Sequence, residues 1–195
     1  MLLTVRAIRR ISLLIVCGLL PALLAQAQKT FTLEPAQTKV NFTVDSTLHT
    51  VHGDFRLKRG SMQFDNATGQ AGGEIVVDAA SGQSGSDGRD KKMHKDVLES
   101  PKYSDIVFTP QHIKGTVAVE GKSQIEVEGA LMMHGKSKPA TLPLEVQLHG
   151  GAGTADGSFT VKYQEWGMKS PSTFILRVSD KVEIHVHAAG RMAAN

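Results

Sequence analysis

The chain has 195 residues, with 22 Lys and Arg against 19 Asp and Glu, and one cysteine. The excess bases, Arg6, Arg9 and Arg10, fall in the first 27 residues, which hold no acid. The remainder is neutral and lacks the uncompensated positive charge of a general nucleic-acid binder. Cys17 lies in the same stretch, so residues 28–195 have no thiol for a disulfide, a thiolate metal site or a nucleophile.

Met1–Arg10 is basic, Ile11–Leu24 is apolar, and Ala25-Gln26-Ala27 is a small-x-small cleavage pattern. This three-part layout predicts a bacterial Sec-type signal peptide over residues 1–27, and hence delivery to the periplasm or the exterior. The apolar run is shorter than the ~20 residues of a spanning helix. Val16 stands before Cys17 where lipidation needs a small residue. No stable membrane insertion is expected after cleavage.

From residue 28 onward, period-two alternation dominates. Val40, Phe42 and Val44 alternate with Asn41, Thr43 and Asp45. Phe55 and Leu57 follow, and Met62 and Phe64 continue out of phase, which predicts a bulge near Gly60. Glu74–Asp78 reads as a short strand. Ile106 and Phe108 begin another, ended by Pro110. Ile125, Val127, Leu131 and Met133 mark the next, then Leu142, Leu144, Val146 and Leu148, then Phe159, Val161 and Tyr163. Val182, Ile184 and Val186 face one way, and Glu183, His185 and His187 the other. Turn signals lie at residues 65–69, 120–122, 134–136 and 150–153. Short strands with one apolar face each predict a single all-β domain, 28–195, an antiparallel barrel or sandwich of about eight strands.

Ser86–Ser100 breaks the rhythm and reads as the one inserted helix. Ser86 or Asp87 would cap it and Pro101 would stop it. Met93, Val97 and Leu98 share a face that either lids one barrel end or lies on the surface.

Familiar catalytic and phosphate-binding patterns fail on spacing. Gly135-Lys136-Ser137 has Ala130 where a phosphate-binding loop needs glycine. Gly82-Gln83-Ser84-Gly85 is not a nucleophile elbow. His185 and His187, or His49 and His52, are pairs without a third metal ligand placed by sequence, and no metal is expected. No catalytic residue is nominated. What remains is the interior: Phe42, Phe55, Phe64, Phe108, Phe159, Met62, Met133 and the branched aliphatics. An eight-stranded barrel so lined is either packed solid or holds one small ligand.

Several stretches, taken in order, resemble the YceI-like family of periplasmic polyisoprenoid-binding proteins. They are Val40-x-Phe42-x-Val44, His49–Phe55, Gly60–Asp65, Arg89-Asp90-Lys91-Lys92-Met93, Leu98–Tyr103, Gly129-x-Leu131-x-x-His134-Gly135-x-x-Lys138-Pro139, Trp166-Gly167-Met168 and Asp180-Lys181-Val182-x-Ile184. Ser104 stands where the family has proline, and Tyr163–Gly167 departs from an Arg-x-Asp-Phe-Gly pattern. The resemblance implies a lipocalin-like barrel around an elongated apolar cavity. It also implies a polyisoprenoid, quinone-tail or fatty-acid-like ligand, and no catalysis or cofactor.

On that reading Phe42, Phe55, Phe64, Phe108, Leu131, Met133, Leu144, Phe159 and Trp166 are expected to line the tail site. Met93 and Val97 are expected to close one end. Arg89, Lys92, Lys136 and Lys138 are candidate head-group partners. Exposed barrel rims leave room for a homodimer. The alternatives are a filled interaction or stress-response barrel, or a hydrolase or isomerase using Tyr163 or His134 in the same pocket.

Overall fold

A computed structural model describes residues 28–193. The expected signal peptide, residues 1–27, lies outside the described residues. Among the described residues nine strands run in order: β1 (Lys29–Leu33), β2 (Lys39–Ser46), β3 (Thr50–Phe64), β4 (Ala71–Gln83), β5 (Asp105–Lys114), β6 (Gly121–Met133), β7 (Lys136–His149), β8 (Ala152–Lys162) and β9 (Val178–Met192). All pairings are antiparallel. β2 pairs with β9, the chain of neighbours runs back from β9 to β3, and β3 pairs again with β2. The sheet is therefore a closed barrel.

β1 does not add a ninth position to the ring. It pairs with β3 at Ser61–Phe64 and with β9 at Gly190–Met192, beyond the stretches of those strands that β2 occupies. β1 and β2 together fill one of eight positions, matching the expected lipocalin-like architecture. Closure leaves no long unpaired edge, the exposed backbone row that invites aggregation.

Alternation fixes which side chains point inward, and bulges shift the parity. β3 changes register against β4 between Leu57 and Arg59, next to the bulge expected near Gly60. At Phe42 the inward ring lies across Gly53 of β3. A Cβ on Gly53 would stand 2.3 Å from that ring and 2.2 Å from the Gln83 carbonyl. The β6–β7 hairpin turns on His134 and Gly135, with φ of 49° and 72°. A two-residue loop of this kind needs positive φ at both positions so that its twist matches the strands.

Three expectations need correction. β5 does not end at Pro110 but runs on to Lys114. The register against β6 shifts between Pro110 and His112, and such a bulge tolerates the missing N–H. The helix expected over Ser86–Ser100 is α1 (Asp87–Lys92) followed by a π-helical turn, Met93–Val97. The Leu98 N–H donates to the Met93 carbonyl at 2.8 Å, and Glu99, at φ 46°, then turns the chain ahead of Pro101. Ser86 occupies the N-cap position, but its side chain makes no cap bond. Finally, Tyr163 leaves the strand register and begins a short 3₁₀ turn, Tyr163–Trp166.

Candidate lipid-binding cavity

The two ends of the barrel are built differently. Around the start of β6 and the end of β7, Phe64, Ile113, Val117, Ile125, Val146 and Leu148 are buried against one another. Phe64 is only 2% exposed. This end is packed solid. Toward the opposite end, where β2, β4, β6 and β8 finish, the interior opens into a cavity of about 730 Å³. The filled barrel and the hollow barrel, left as alternatives by composition, thus describe two halves of one molecule.

Inward positions from every strand surround the cavity. Phe42, Phe55, Phe108, Leu131, Met133, Leu144 and Phe159 line it as the alternation implies. Val40, Val44, Leu57, Ile106 and Ile184 belong to the same parity sets and line it too. Phe42 and Phe55 meet at 5.3 Å between ring centroids, an aromatic pair within the wall. The inserted helix covers part of the open end: Arg89, Lys92, Met93, Val97 and Leu98 all reach the cavity. Gly82 permits this seat, because a Cβ there would stand 2.5 Å from Phe55 and 2.9 Å from Met93. His94 fixes it, with Nε2 2.9 Å from the Gly82 carbonyl and Nδ1 3.1 Å from Ser100 Oγ.

Two expected tail contacts lie elsewhere. Phe64 belongs to the solid end. Trp166 is buried behind the wall, where its indole N–H donates to the Leu131 carbonyl at 3.0 Å. The alternation could not place Trp166, because the 3₁₀ turn has no period of two. Alternation also missed the mouth segment: Met168, Pro171, Thr173, Leu176 and Val178 line the cavity. Residues 167–177 are irregular and carry no periodic signal.

The charged groups divide as well. Arg89 and Lys92 line the cavity, and no carboxylate does so among the described residues. Arg89 is braced by Ser84: its Nε donates to Ser84 Oγ at 2.7 Å and its Nη2 to the Ser84 carbonyl at 2.6 Å. The Ser84 N–H in turn donates to Asp90 at 2.9 Å. A guanidinium has five N–H donors, so this bracing leaves others for a ligand. Lys92 stands 3.6 Å from Asp96 and remains half exposed. Lys136 and Lys138 do not line the cavity. Lys136 lies against Gly167, and Lys138 sits 5.6 Å over the Trp166 ring and 3.5 Å from Glu165.

The residues considered for catalysis occupy one side of the mouth. Tyr163 presents its ring to the cavity, but its hydroxyl oxygen is covered and has no hydrogen-bond partner among the described residues. His134 does not line the cavity. Its ring packs 4.3 Å from Tyr103, and its Nε2 faces Glu99 at 3.5 Å, too far for a hydrogen bond. Of the histidines weighed as metal ligands, His52, His185 and His187 are engaged on the outer wall, whereas His49, in the β2–β3 turn, lines the cavity. His187 bonds Asp156 at 2.6 Å, His185 bonds Ser158, and His52 lies 3.0 Å from Thr43.

A hydrophobic barrel with one sealed end and one helix-covered mouth has a lipocalin-like architecture. The YceI-like domain family matches residues 31–189, and the chain belongs to that family. A UPF0312 protein of Vibrio cholerae is 28% identical over 169 residues, 80% of this chain and 82% of that protein. A UPF0312 protein of Vibrio parahaemolyticus is 31% identical over 114 residues, 56% of this chain and 58% of that protein. The same fold occurs in a polyisoprenoid binding domain from Saccharophagus degradans, with TM-score 0.67, 18% identity, and coverage of 84% of this chain and 98% of that one. Burkholderia cenocepacia BcnA matches with TM-score 0.65 and 23% identity, over 83% of this chain and 99% of its own.

Proposed function

We propose that this protein is a binding protein, not an enzyme, that holds one long-chain amphiphile for transport, storage or sequestration. A polyisoprenoid, a quinone tail or a fatty-acid-like lipid would fit this role. The observation that carries the reading is the cavity of about 730 Å³, walled by aliphatic and aromatic side chains and sealed at one end. A methylene takes up about as much room as one liquid water, ~30 Å³, so the space suits on the order of 20 chain carbons. Each methylene moved out of water contributes about 0.8 kcal/mol, so a long tail binds tightly with no polar contact along its length. The polyisoprenoid binding domain of the same fold supports this ligand class.

The sealed end sets the orientation. The tail enters first and the head stays at the mouth, where Arg89 and Lys92 are the charged groups along the lining. Cations without a lining carboxylate favour an anionic head such as a phosphate or carboxylate. The basic, apolar, small-x-small start of the sequence supports export to the periplasm or beyond as the setting for this work.

The test is native mass spectrometry of protein purified from an exporting host, followed by organic extraction. One long-chain lipid per barrel is the expected result. A bare mass that persists after incubation with polyprenyl phosphates, quinones and fatty acids would overturn the proposal.

A further inference from the structure

The cavity mouth carries apolar side chains that the binding reading does not use. Phe174 is 95% exposed, Ile175 82% and Leu48 70%. Phe174 and Ile175 are not on a loose tether. They form the tip of a turn whose base is closed twice: the Thr173 N–H donates to the Leu176 carbonyl at 2.7 Å, and the Leu176 N–H donates to Thr173 Oγ1 at 3.0 Å. Outside that pair, the Val178 N–H donates to Ser172 Oγ at 2.9 Å. The turn therefore holds two large apolar groups out in water by design of its backbone. Its base residues, Thr173 and Leu176, line the cavity.

The second rim loop is tied to the first. The Thr47 N–H donates to the Arg177 carbonyl at 2.9 Å, and the Arg177 N–H donates to Thr47 Oγ1 at 3.3 Å. Leu48, next in the chain after Thr47, thus joins the same edge of the mouth. Residues 167–177 also carry Lys169 and Arg177 and no acid. Three exposed apolar side chains flanked by cations, at the opening of an apolar cavity, match the chemistry of an anionic bilayer. Apolar groups bury among acyl chains while basic side chains meet the phosphates.

We propose that this rim docks the protein onto an anionic phospholipid bilayer, with Phe174, Ile175 and Leu48 entering the interface and Lys169 and Arg177 at the head groups. Docking would set the cavity mouth against the lipid phase, so a chain could pass between bilayer and barrel without crossing water. The docking surface is separate from the ligand site and goes beyond the carrier reading.

The test is flotation of the ligand-free protein with phosphatidylglycerol–phosphatidylcholine vesicles, compared with phosphatidylcholine alone. Wild type should float with the anionic vesicles and do so less in high salt. Joint replacement Phe174→Ser and Ile175→Ser should lower the bound fraction by about tenfold or more, given the apolar area removed from the contact. Val119→Ser should leave flotation unchanged, because Val119 is 76% exposed but follows β5 at the sealed end. Far-UV circular dichroism and binding of a fluorescent fatty acid, both unchanged in the double variant, separate loss of docking from loss of the cavity. Wild type that stays in the soluble fraction, a double variant that floats as wild type does, or equal loss from Val119→Ser would each overturn the proposal. So would a solution dimer of wild type that the double variant abolishes, because the rim would then be a contact between two copies.

Discussion

Ala155→Phe distinguishes a cavity from a core by the sign of its effects. Ala155 lies on β8 opposite Val146 of the packed end and Ala188 of β9, and both Ala155 and Ala188 line the cavity. A phenyl ring at this position adds about six carbons to the floor, close to a quarter of the available space at ~30 Å³ per carbon. In a packed core the same change would destabilise by about 1–3 kcal/mol through forced rotamers and backbone shifts. In the hollow barrel the ring gains contacts with walls that lack partners, so thermal stability should hold or rise slightly. Ligand binding moves the other way. The ring displaces the far end of a long tail, about six methylenes at ~0.8 kcal/mol each, which gives ~5 kcal/mol or roughly a thousandfold loss. A graded series of alkyl phosphates, measured by displacement of a fluorescent fatty acid, should show that loss for long chains and little change for short ones. A destabilised variant that binds every chain length as wild type does would refute the placement of the cavity floor.

Three further outcomes follow from the same geometry. Leu131→Asp, or Phe108→Asp, sets a carboxylate in the apolar wall, and a folded variant should lose long-chain binding; undiminished binding would remove that residue from the site. Lys92→Ala should weaken phosphate-headed ligands by about fivefold or more at low salt while sparing alcohols of equal chain length, because a half-exposed cation interacts with the head group and not the tail. Lys58 donates to Asp105 at 2.5 Å and stands 3.4 Å from Asp78, and the Asp105 hydrogen bond leads in raising its pKa above the ordinary 10.5. This stabilisation is fully present below the unfolded value and is lost as pH rises through the folded one. Lys58→Met should therefore melt below wild type near pH 9, and the two melting curves should converge well above pH ~10.5; a gap that persists there would exclude the ion pair as its cause.

Some parts of the site were legible in the sequence, and the reason is periodicity. A strand sends alternate side chains to opposite faces, so Phe42, Phe108, Leu131, Leu144 and Phe159 declared themselves as a set. The Met93 and Val97 face of the inserted helix was legible in the same way. The errors fall where periodicity stops. Pro110 looked like a strand end because its missing N–H is readable locally, whereas the bulge that tolerates it depends on pairing with β6. Trp166 looked like a ligand contact because it is large and apolar, but its 3₁₀ turn aims the indole at the Leu131 carbonyl. The mouth turn at Thr173–Leu176 has no pattern that separates its inward residues from its outward ones.

By itself the sequence determined an all-β chain, the strand faces, the inserted amphipathic helix and a set of apolar residues that must share an interior, since these follow from local period and composition. Tertiary structure decided that β1 and β2 share one position of an eight-position ring. It also decided that one half of the barrel is packed and the other hollow, and that Arg89 and Lys92 reach the mouth while Lys136 and Lys138 turn away. Those outcomes depend on closure, register and the volume left between facing side chains. They belong to pairs of residues distant in the chain, and no local pattern encodes the distance between them.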